Sequence, residues 1–251
     1  MTEFKETVKV VCISDTHGLH KSMEKKLPAG DMIIHAGDCT NVGELGQIAM
    51  FFDWYAELPY KHKILIAGNH DFGFQDRFND VQKFLEGRGI TYLQDSCAAI
   101  EGVKIFGSPW TLAFQNWAFM TNETGLEEVY RKQISQEGSP DIIVTHSPLK
   151  GFLDSTVTEG EHLGCNALLT PIRLHFPQYV IHGHIHGGYG KHKLNKQTTL
   201  INASICNEAY DPVNKPIVIE VIKNKDLKKE NKKLRELFKK TLSACKARSR
   251  Q

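Results

Sequence analysis

Histidine and glycine alternate through His182-Gly183-His184-Ile185-His186-Gly187-Gly188, directly after the apolar run Tyr179-Val180-Ile181. Read as extended chain, that spacing turns His184 and His186 to one face, about 6–7 Å apart along the strand. Two imidazoles so placed can reach two metal ions about 3.5–4 Å apart, the separation of a dinuclear hydrolytic centre. Four further clusters supply partners: Asp15 and His17, Asp38 after Gly37, Asn69 and His70 after Gly68, and His146 after Thr145. Hard oxygen and borderline nitrogen donors without a thiolate suit Mn²⁺, Fe, Zn²⁺ or Ni²⁺ rather than a Ca²⁺ cage. An aspartate can bridge two such ions, and two ions together acidify a shared water enough to give hydroxide near neutral pH. Hydroxide aligned opposite a leaving oxygen attacks phosphorus in line, while the cations and a nearby histidine offset charge on the phosphoryl oxygens.

The elements that must position these groups are strands. Thr7-Val8-Lys9-Val10-Val11-Cys12-Ile13 is a continuous β-branched run that leads into Ser14-Asp15-Thr16-His17. Met32-Ile33-Ile34-His35-Ala36 ends at Gly37-Asp38, and Lys63-Ile64-Leu65-Ile66-Ala67 ends at Gly68-Asn69-His70-Asp71. Asp141-Ile142-Ile143-Val144 ends at Thr145-His146, and Tyr179-Val180-Ile181 at the opening histidines. Ligand groups at the carboxyl ends of strands are where open α/β sheets build their sites. The patterns also predict helices over residues 43–57, 76–86, 123–135 and 166–175, with Asn122 as an N-cap and Pro171 limiting the last. Strands are predicted near 90–93, 103–106, 199–202 and 217–222. The aromatic stretch 108–119 and residues 150–164 read as loops.

A chain of 251 residues, 41% hydrophobic and 24% charged, is long enough to bury a sizeable core. It has no apolar run of membrane-spanning length, and residues 1–9 lack the apolar stretch of a signal peptide. Its six cysteines are scattered with no CxxC pair, which predicts reduced thiols and a cytoplasmic protein. The net charge of +2 hides an asymmetry: residues 223–251 hold 12 Lys/Arg and 3 Asp/Glu, against 19 basic and 26 acidic residues in the remainder. Two segments are therefore expected: a body over 1–222 and a basic helical tail over 223–251. Leu227, Leu234, Leu237, Phe238 and Leu242 fall near one helical face of that tail. The tail is expected to pack on the body, with contact to nucleic acid or acidic lipid as the sharper alternative.

In sequence order, Asp15-x-His17, Gly37-Asp38, Gly68-Asn69-His70-Asp71, Thr145-His146 and Gly183-His184-x-His186 resemble the blocks of the calcineurin-like metallophosphoesterase superfamily. The segments Gly107-Ser108-Pro109-Trp110, Asn116-Trp117-Ala118-Phe119, His162-Leu163-Gly164-Cys165 and Ile201-Asn202-Ala203-Ser204 resemble the group related to class III cyclic nucleotide phosphodiesterases. The resemblance covers about residues 7–222 and implies an α/β fold, a four-layer α/β/β/α sandwich of two mixed sheets flanked by helices. It implies Asp15, His17 and His186 on a first metal, Asp38 as bridge, and Asn69, His146 and His184 on a second. His70 would stabilise the phosphoryl group or protonate the leaving oxygen. Two departures stand out: Gly187 replaces an acidic residue common in the group, and the basic tail has no counterpart. The Gly-Asp-x-x-Asp-Arg-Gly block of the superfamily's serine/threonine phosphatases is also missing, since Cys39-Thr40-Asn41-Val42-Gly43 carries no arginine. That disfavours protein dephosphorylation.

Several residues have a plainer role beside the chemical one. Asp71 reads as a support orienting a neighbour such as an imidazole. His162 and Asn166 stand as substrate contacts or as loop stabilisers. Trp110, Trp117 and Phe119 read as packing more than as a stacking platform for a base. His35 and His182 lie within strands and read as core histidines, and Cys39 as an inert buried thiol. The expected activity is a two-metal, Mn²⁺-type phosphodiesterase acting on small nucleotide-like diesters, cyclic nucleotides among them. A broad phosphomonoesterase is the second reading, and a metal-bound scaffold with little turnover the third.

Overall fold

The computed structural model describes residues 6–157 and 160–223. Among these residues thirteen strands are present: β1 (Thr7–Ile13), β2 (Met32–Ala36), β3 (His62–Ile66), β4 (Ile90–Tyr92), β5 (Ser96–Ile100), β6 (Val103–Ser108), β7 (Thr111–Leu112), β8 (Met120–Thr121), β9 (Ile142–Thr145), β10 (Tyr179–His182), β11 (Gly190–Lys193), β12 (Thr199–Asn202) and β13 (Ile217–Ile222). The helices are α1 (Leu45–Glu57), α2 (Phe72–Asp76), α3 (Phe78–Leu85), α4 (Glu123–Glu137) and α5 (Leu169–His175). One sheet runs β13-β1-β2-β3-β4 and the other β11-β12-β10-β9-β6-β5, with a two-stranded ribbon of β7 and β8 apart from them. In each large sheet four neighbouring strands are parallel; β13 in the first, and β5 and β11 in the second, are antiparallel edges.

Side-chain alternation along the strands sorts the core into layers. Val8, Val10 and Cys12 of β1, Met32 and Ile34 of β2, Ile142 and Val144 of β9 and Ile201 of β12 fill the space between the sheets. Their neighbours Val11, Ile13, Ile33 and Leu65 turn outward onto Phe51, Phe52 and Tyr55 of α1 and Val81 of α3. On the far side Phe106, Ile143, Val180 and Leu200 meet Leu126, Tyr130 and Ile134 of α4 and Ile172 of α5. The order is helix, sheet, sheet, helix, as the resemblance implied. Each fully buried Val, Leu, Ile or Phe contributes about 1.5–3 kcal/mol against chain entropy.

The two sheets touch where the site forms. Beyond the end of β1, Ser14 N–H donates to Ala203 O just past β12, and Ile205 N–H donates back to Ser14 O, both at 2.9 Å. Asp15 therefore leaves a seam shared by both sheets. Asn122 caps α4, its Oδ1 accepting Gly125 N–H at 2.8 Å.

Three expectations need correction. The helix expected over 76–86 begins at Phe72 and breaks at Arg77, whose backbone leaves the helical region (φ −128°, ψ 33°). Strands β5 and β11 were not foreseen: Ser96-Cys97-Ala98-Ala99-Ile100 and Gly190-Lys191-His192-Lys193 lack the apolar alternation that marks a half-buried strand. Part of the aromatic stretch read as loop pairs as β7 and β8. The expected tail helix from residue 224 onward lies outside the described residues. Among these, no helix is long and apolar enough to cross a membrane.

Candidate metal centre

Each donor leaves its strand through a bend. Asp15, His17, Asp38 and His184 all take positive φ, at 51°, 42°, 55° and 68°. The left-handed region costs a residue with a Cβ about 1–2 kcal/mol, and such outliers gather at functional sites. The expectation that His184 and His186 lie on one face of an extended strand is thereby overturned. β10 ends at His182, His184 is left-handed, and His186 opens a short 3₁₀ turn. Both rings nevertheless face one cavity of about 680 Å³. Gly68 and Gly183 make room for the carboxylates: a Cβ on Gly68 would lie 2.3 Å from Asp38 Oδ1, and one on Gly183 2.0 Å from Asp15 Oδ2.

Three overlapping groups bring their donor atoms within 4.8 Å: Asp15, His17 and His186; His17, Asp38 and His70; and Asp38, His146 and His184. In the first, His17 Nε2 and His186 Nε2 face each other at 3.2 Å, and His186 Nε2 lies 3.4 Å from Asp15 Oδ1. In the third, His146 Nε2 lies 3.2 Å from Asp38 Oδ2 and 3.1 Å from Asn69 Oδ1. Asp38 Oδ2 is also 3.9 Å from His17 Nε2, so this one carboxylate stands between the two groups. Ligands about 2.1 Å from a shared ion lie about 3.0–3.4 Å from one another; the spacings given for the first and third groups fall in that range, and His17 to Asp38, at 3.9 Å, is wider. The residues therefore fit two divalent ions of the mixed nitrogen–oxygen type.

The imidazoles are oriented by backbone. His70 Nδ1, His146 Nδ1 and His186 Nδ1 lie 2.8, 2.9 and 2.8 Å from the carbonyl oxygens of Asn41, Ala36 and Asn207. A carbonyl only accepts, so each Nδ1 carries the proton and each Nε2 is left to the donor cluster. Asp15 accepts from Ser14 Oγ–H, from Ser204 Oγ–H at 2.8 Å and from His184 N–H at 3.0 Å. Asp38 Oδ1 accepts His70 N–H at 2.8 Å. Asp71 touches no imidazole, contrary to expectation. Its carboxylate gathers N–H groups of Cys39, Thr40 and Gly68 and so ties the loop after β2 to the loop after β3.

Protein charges set the protonation of the cluster. Burial alone would raise the carboxyls, but the surrounding imidazoles hold Asp15 and Asp38 well below the usual range. Burial pulls His146 down, and Asp38 overrides it, lifting the ring to about 9. For His17 and His184 burial wins, at about 4 and about 3, so both rings are neutral donors.

The remaining sequence candidates divide. His162 lines the cavity from the loop 150–164, its Nδ1 bound to Asp154 Oδ1 at 2.7 Å. Asn166, expected as a substrate contact or a loop stabiliser, does not line it; it sits in a neighbouring cavity beyond a ridge at Leu149 and Cys165. Trp117 lies 4.2 Å from the His70 ring, centroid to centroid, while Trp110 and Phe119 pack on each other. His35 and His182 are buried, His35 facing Thr16 Oγ1 at 2.9 Å. Cys39 is buried, its thiol pushed well up by burial and by Asp71.

Several cavity residues escaped the sequence reading, Phe114, Lys150, Glu208 and Tyr210 among them. Tyr210 has a left-handed backbone (φ 61°), and its ring lies 4.7 Å from that of His17 and 5.3 Å from that of His186. Its turn is built on Asn207, whose Oδ1 accepts the N–H groups of Ala209 and Asp211. The turn composition of Asn207 to Pro212 was the available signal.

A family model described as calcineurin-like phosphoesterase matches residues 8–188, a span that includes every donor named above. The chain is 36% identical over 235 residues to "Metallophosphoesterase domain-containing protein 1" of Homo sapiens and, equally, of Mus musculus, covering 84% of this chain and 70% of each relative. Among solved structures, TT1561 of Thermus thermophilus superposes with a TM-score of 0.60 at 14% identity, covering 87% of this chain and 100% of that one. At that identity the likeness is one of fold.

Proposed function

Because the chain belongs to the calcineurin-like phosphoesterase family, we propose that it is a two-metal phosphodiesterase acting on small nucleotide-like diesters. The observation that carries this reading is the pair of donor groups sharing Asp38, set in a cavity with an apolar wall of Leu112, Phe114, Leu163 and Ile185. A diester presents one negative charge and a second organic arm, which suits that wall. A monoester dianion is best gripped by an arginine fork, and among the described residues no arginine lines the cavity. Two divalent cations bound there, Mn²⁺ first among those the donors suit, supply an acidified water and offset phosphoryl charge.

The chain's own residues do the rest. Asp38 holds the two donor groups in register, and Ser204 with the His184 amide fixes Asp15. Asn69 offers Oδ1 to the donor set, which leaves its NH₂ for a phosphoryl oxygen. His70, with Nδ1–H on Asn41 O and its ring against Trp117, presents Nε2 to the departing oxygen and can hold a proton there. The test is hydrolysis of bis-p-nitrophenyl phosphate against p-nitrophenyl phosphate by Mn²⁺-loaded protein, with Asp38→Asn as blank. Diester preference is expected; monoester preference overturns the reading, and no turnover above the blank on either ester leaves a scaffold.

A further inference from the structure

A second cavity, of about 430 Å³, adjoins the metal cavity. Lys150 lines both, so the two hollows flank one ridge. That ridge is fixed by backbone: Cys165 N–H donates to Pro148 O at 2.9 Å, and Lys150 N–H donates to Cys165 O at 3.0 Å.

The lining of this second cavity is chemically one-sided. Among the described residues its charged groups are Lys150 and Arg173, and no carboxylate lines it. Elsewhere Lys61, Arg77 and Arg88 each pair with an acid; among the described residues Lys150 and Arg173 do not. Asn195 could present either an acceptor or a donor, but its Oδ1 already accepts the N–H groups of Gln197 and Thr198, each at 2.8 Å. Only its NH₂ remains for a ligand. Asn166 supplies a further amide, and Phe152 and Leu194 form the apolar wall. An ammonium, a guanidinium fork and an oriented amide N–H, with no competing acid, form a receptor for an anion. A few placed polar groups on an apolar lining are how ligand cavities gain orientation.

We propose that this cavity is an anion subsite and that the substrate is bianionic: a diester whose reacting phosphate lies among the metal donors while a second anionic group, phosphate or carboxylate, rests on Arg173 and Lys150. The diester half rests on the phosphodiesterase reading; the subsite is read independently by binding. It also gives Asn166 a contact one ridge away from the reacting phosphorus.

The experiment is titration calorimetry of the Mn²⁺-loaded full chain with thymidine 5′-monophosphate, thymidine 3′,5′-bisphosphate and 3′-O-succinyl thymidine 5′-monophosphate. At least one bianionic ligand should bind at least about tenfold more tightly than the monophosphate, a usual gain for one charge-assisted contact. Arg173→Gln, at an exposed position, should bring that ratio to within about twofold. Whichever arm gains identifies phosphate or carboxylate. Equal affinities in the wild type overturn the subsite, as does a preference that survives both Arg173→Gln and Lys150→Ala. Turnover of the matching p-nitrophenyl diesters is scored separately. If binding preference holds and no diester turns over, the phosphodiesterase reading fails and the subsite stands.

Discussion

Replacing Asp71 by Asn tests whether the loops that carry Asp38 and Asn69 are held from behind. Asp71 Oδ1 accepts Thr40 N–H at 2.9 Å and Thr40 Oγ–H at 2.7 Å; Oδ2 accepts Gly68 N–H at 2.9 Å and Cys39 N–H at 3.2 Å. Asparagine is nearly isosteric, but whichever way it turns, its NH₂ meets two protein donors. Two bonds to a charged acceptor, at about 1.5–3 kcal/mol each, amount to about 3–6 kcal/mol. Part of that returns, because asparagine is cheaper to bury. Burial and the nearby Asp38 raise the Asp71 pKa, so its donors do not fully offset the desolvation of the carboxylate. The net loss should be about 2–3 kcal/mol. A domain of this size loses about 2–4 °C in Tm per kcal/mol, so Tm should fall by about 4–12 °C. The urea midpoint should drop at unchanged slope, and kcat/KM on the diester should fall more than about tenfold. A stability change under about 0.5 kcal/mol with full Mn²⁺ affinity would refute the clamp. Lost activity at full stability would instead mean that the carboxylate meets the reacting groups.

Gly183→Ala should abolish Mn²⁺ binding while leaving far-UV dichroism intact, because its Cβ would lie 2.0 Å from Asp15 Oδ2; unchanged affinity in a calorimetric titration would contradict that. Chelation should lower Tm by about 5–10 °C, since saturation at about a hundred times Kd stabilises by about 2.7 kcal/mol, and an unchanged melting curve would mean that no ion is bound. His146, raised to about 9 by Asp38, stabilises the metal-free protein below pH 6.5 and loses that contribution as pH rises through 9. Ion loading must displace that proton, so Mn²⁺ affinity should rise up to about tenfold per unit between pH 7 and 9; a flat profile, measured by titration in buffers of different ionisation enthalpy, would show that His146 is no ligand. Tyr210→Ala should raise the diester KM about two- to tenfold by removing an aromatic wall, with Tyr210→Phe close to wild type; identical KM values for all three would remove Tyr210 from substrate contact.

The strand-end clusters were legible because continuous apolar runs stop abruptly at glycine and acid or histidine, a pattern that local chain chemistry states outright. Where the chain bends was not. His184 at φ 68° breaks the alternation that a run of spaced histidines suggests, and the bend is imposed by Asp15 accepting His184 N–H from another sheet. The edge strands β5 and β11 lack an apolar signature because their side chains are only half-buried or exposed, unlike the alternately buried β13 at the edge of the other sheet. Asn166 could not be placed from its neighbours in sequence, since the ridge beside it is set by pairing Leu149 with Cys165. Tyr210 was silent for a similar reason: a tyrosine in a turn gains meaning only once that turn folds over His17 and His186.

The supports of the imidazoles explain how such a strained centre persists. His146, from the second sheet, is oriented by Ala36 O of the first; His186 is oriented by Asn207 O beyond β12; His70 by Asn41 O beyond β2. Every one of these rings is thus held by a different segment from its own, and no single loop can relax without moving a donor. Four left-handed donor residues at about 1–2 kcal/mol each store about 4–8 kcal/mol, comparable to the whole stability of an ordinary domain. The three apolar layers behind the strand ends offset that together with these hydrogen bonds. Loosening the core between the sheets, for example with Ile34→Ala, should therefore reduce metal affinity even though that side chain lies in the inter-sheet layer and supplies no donor.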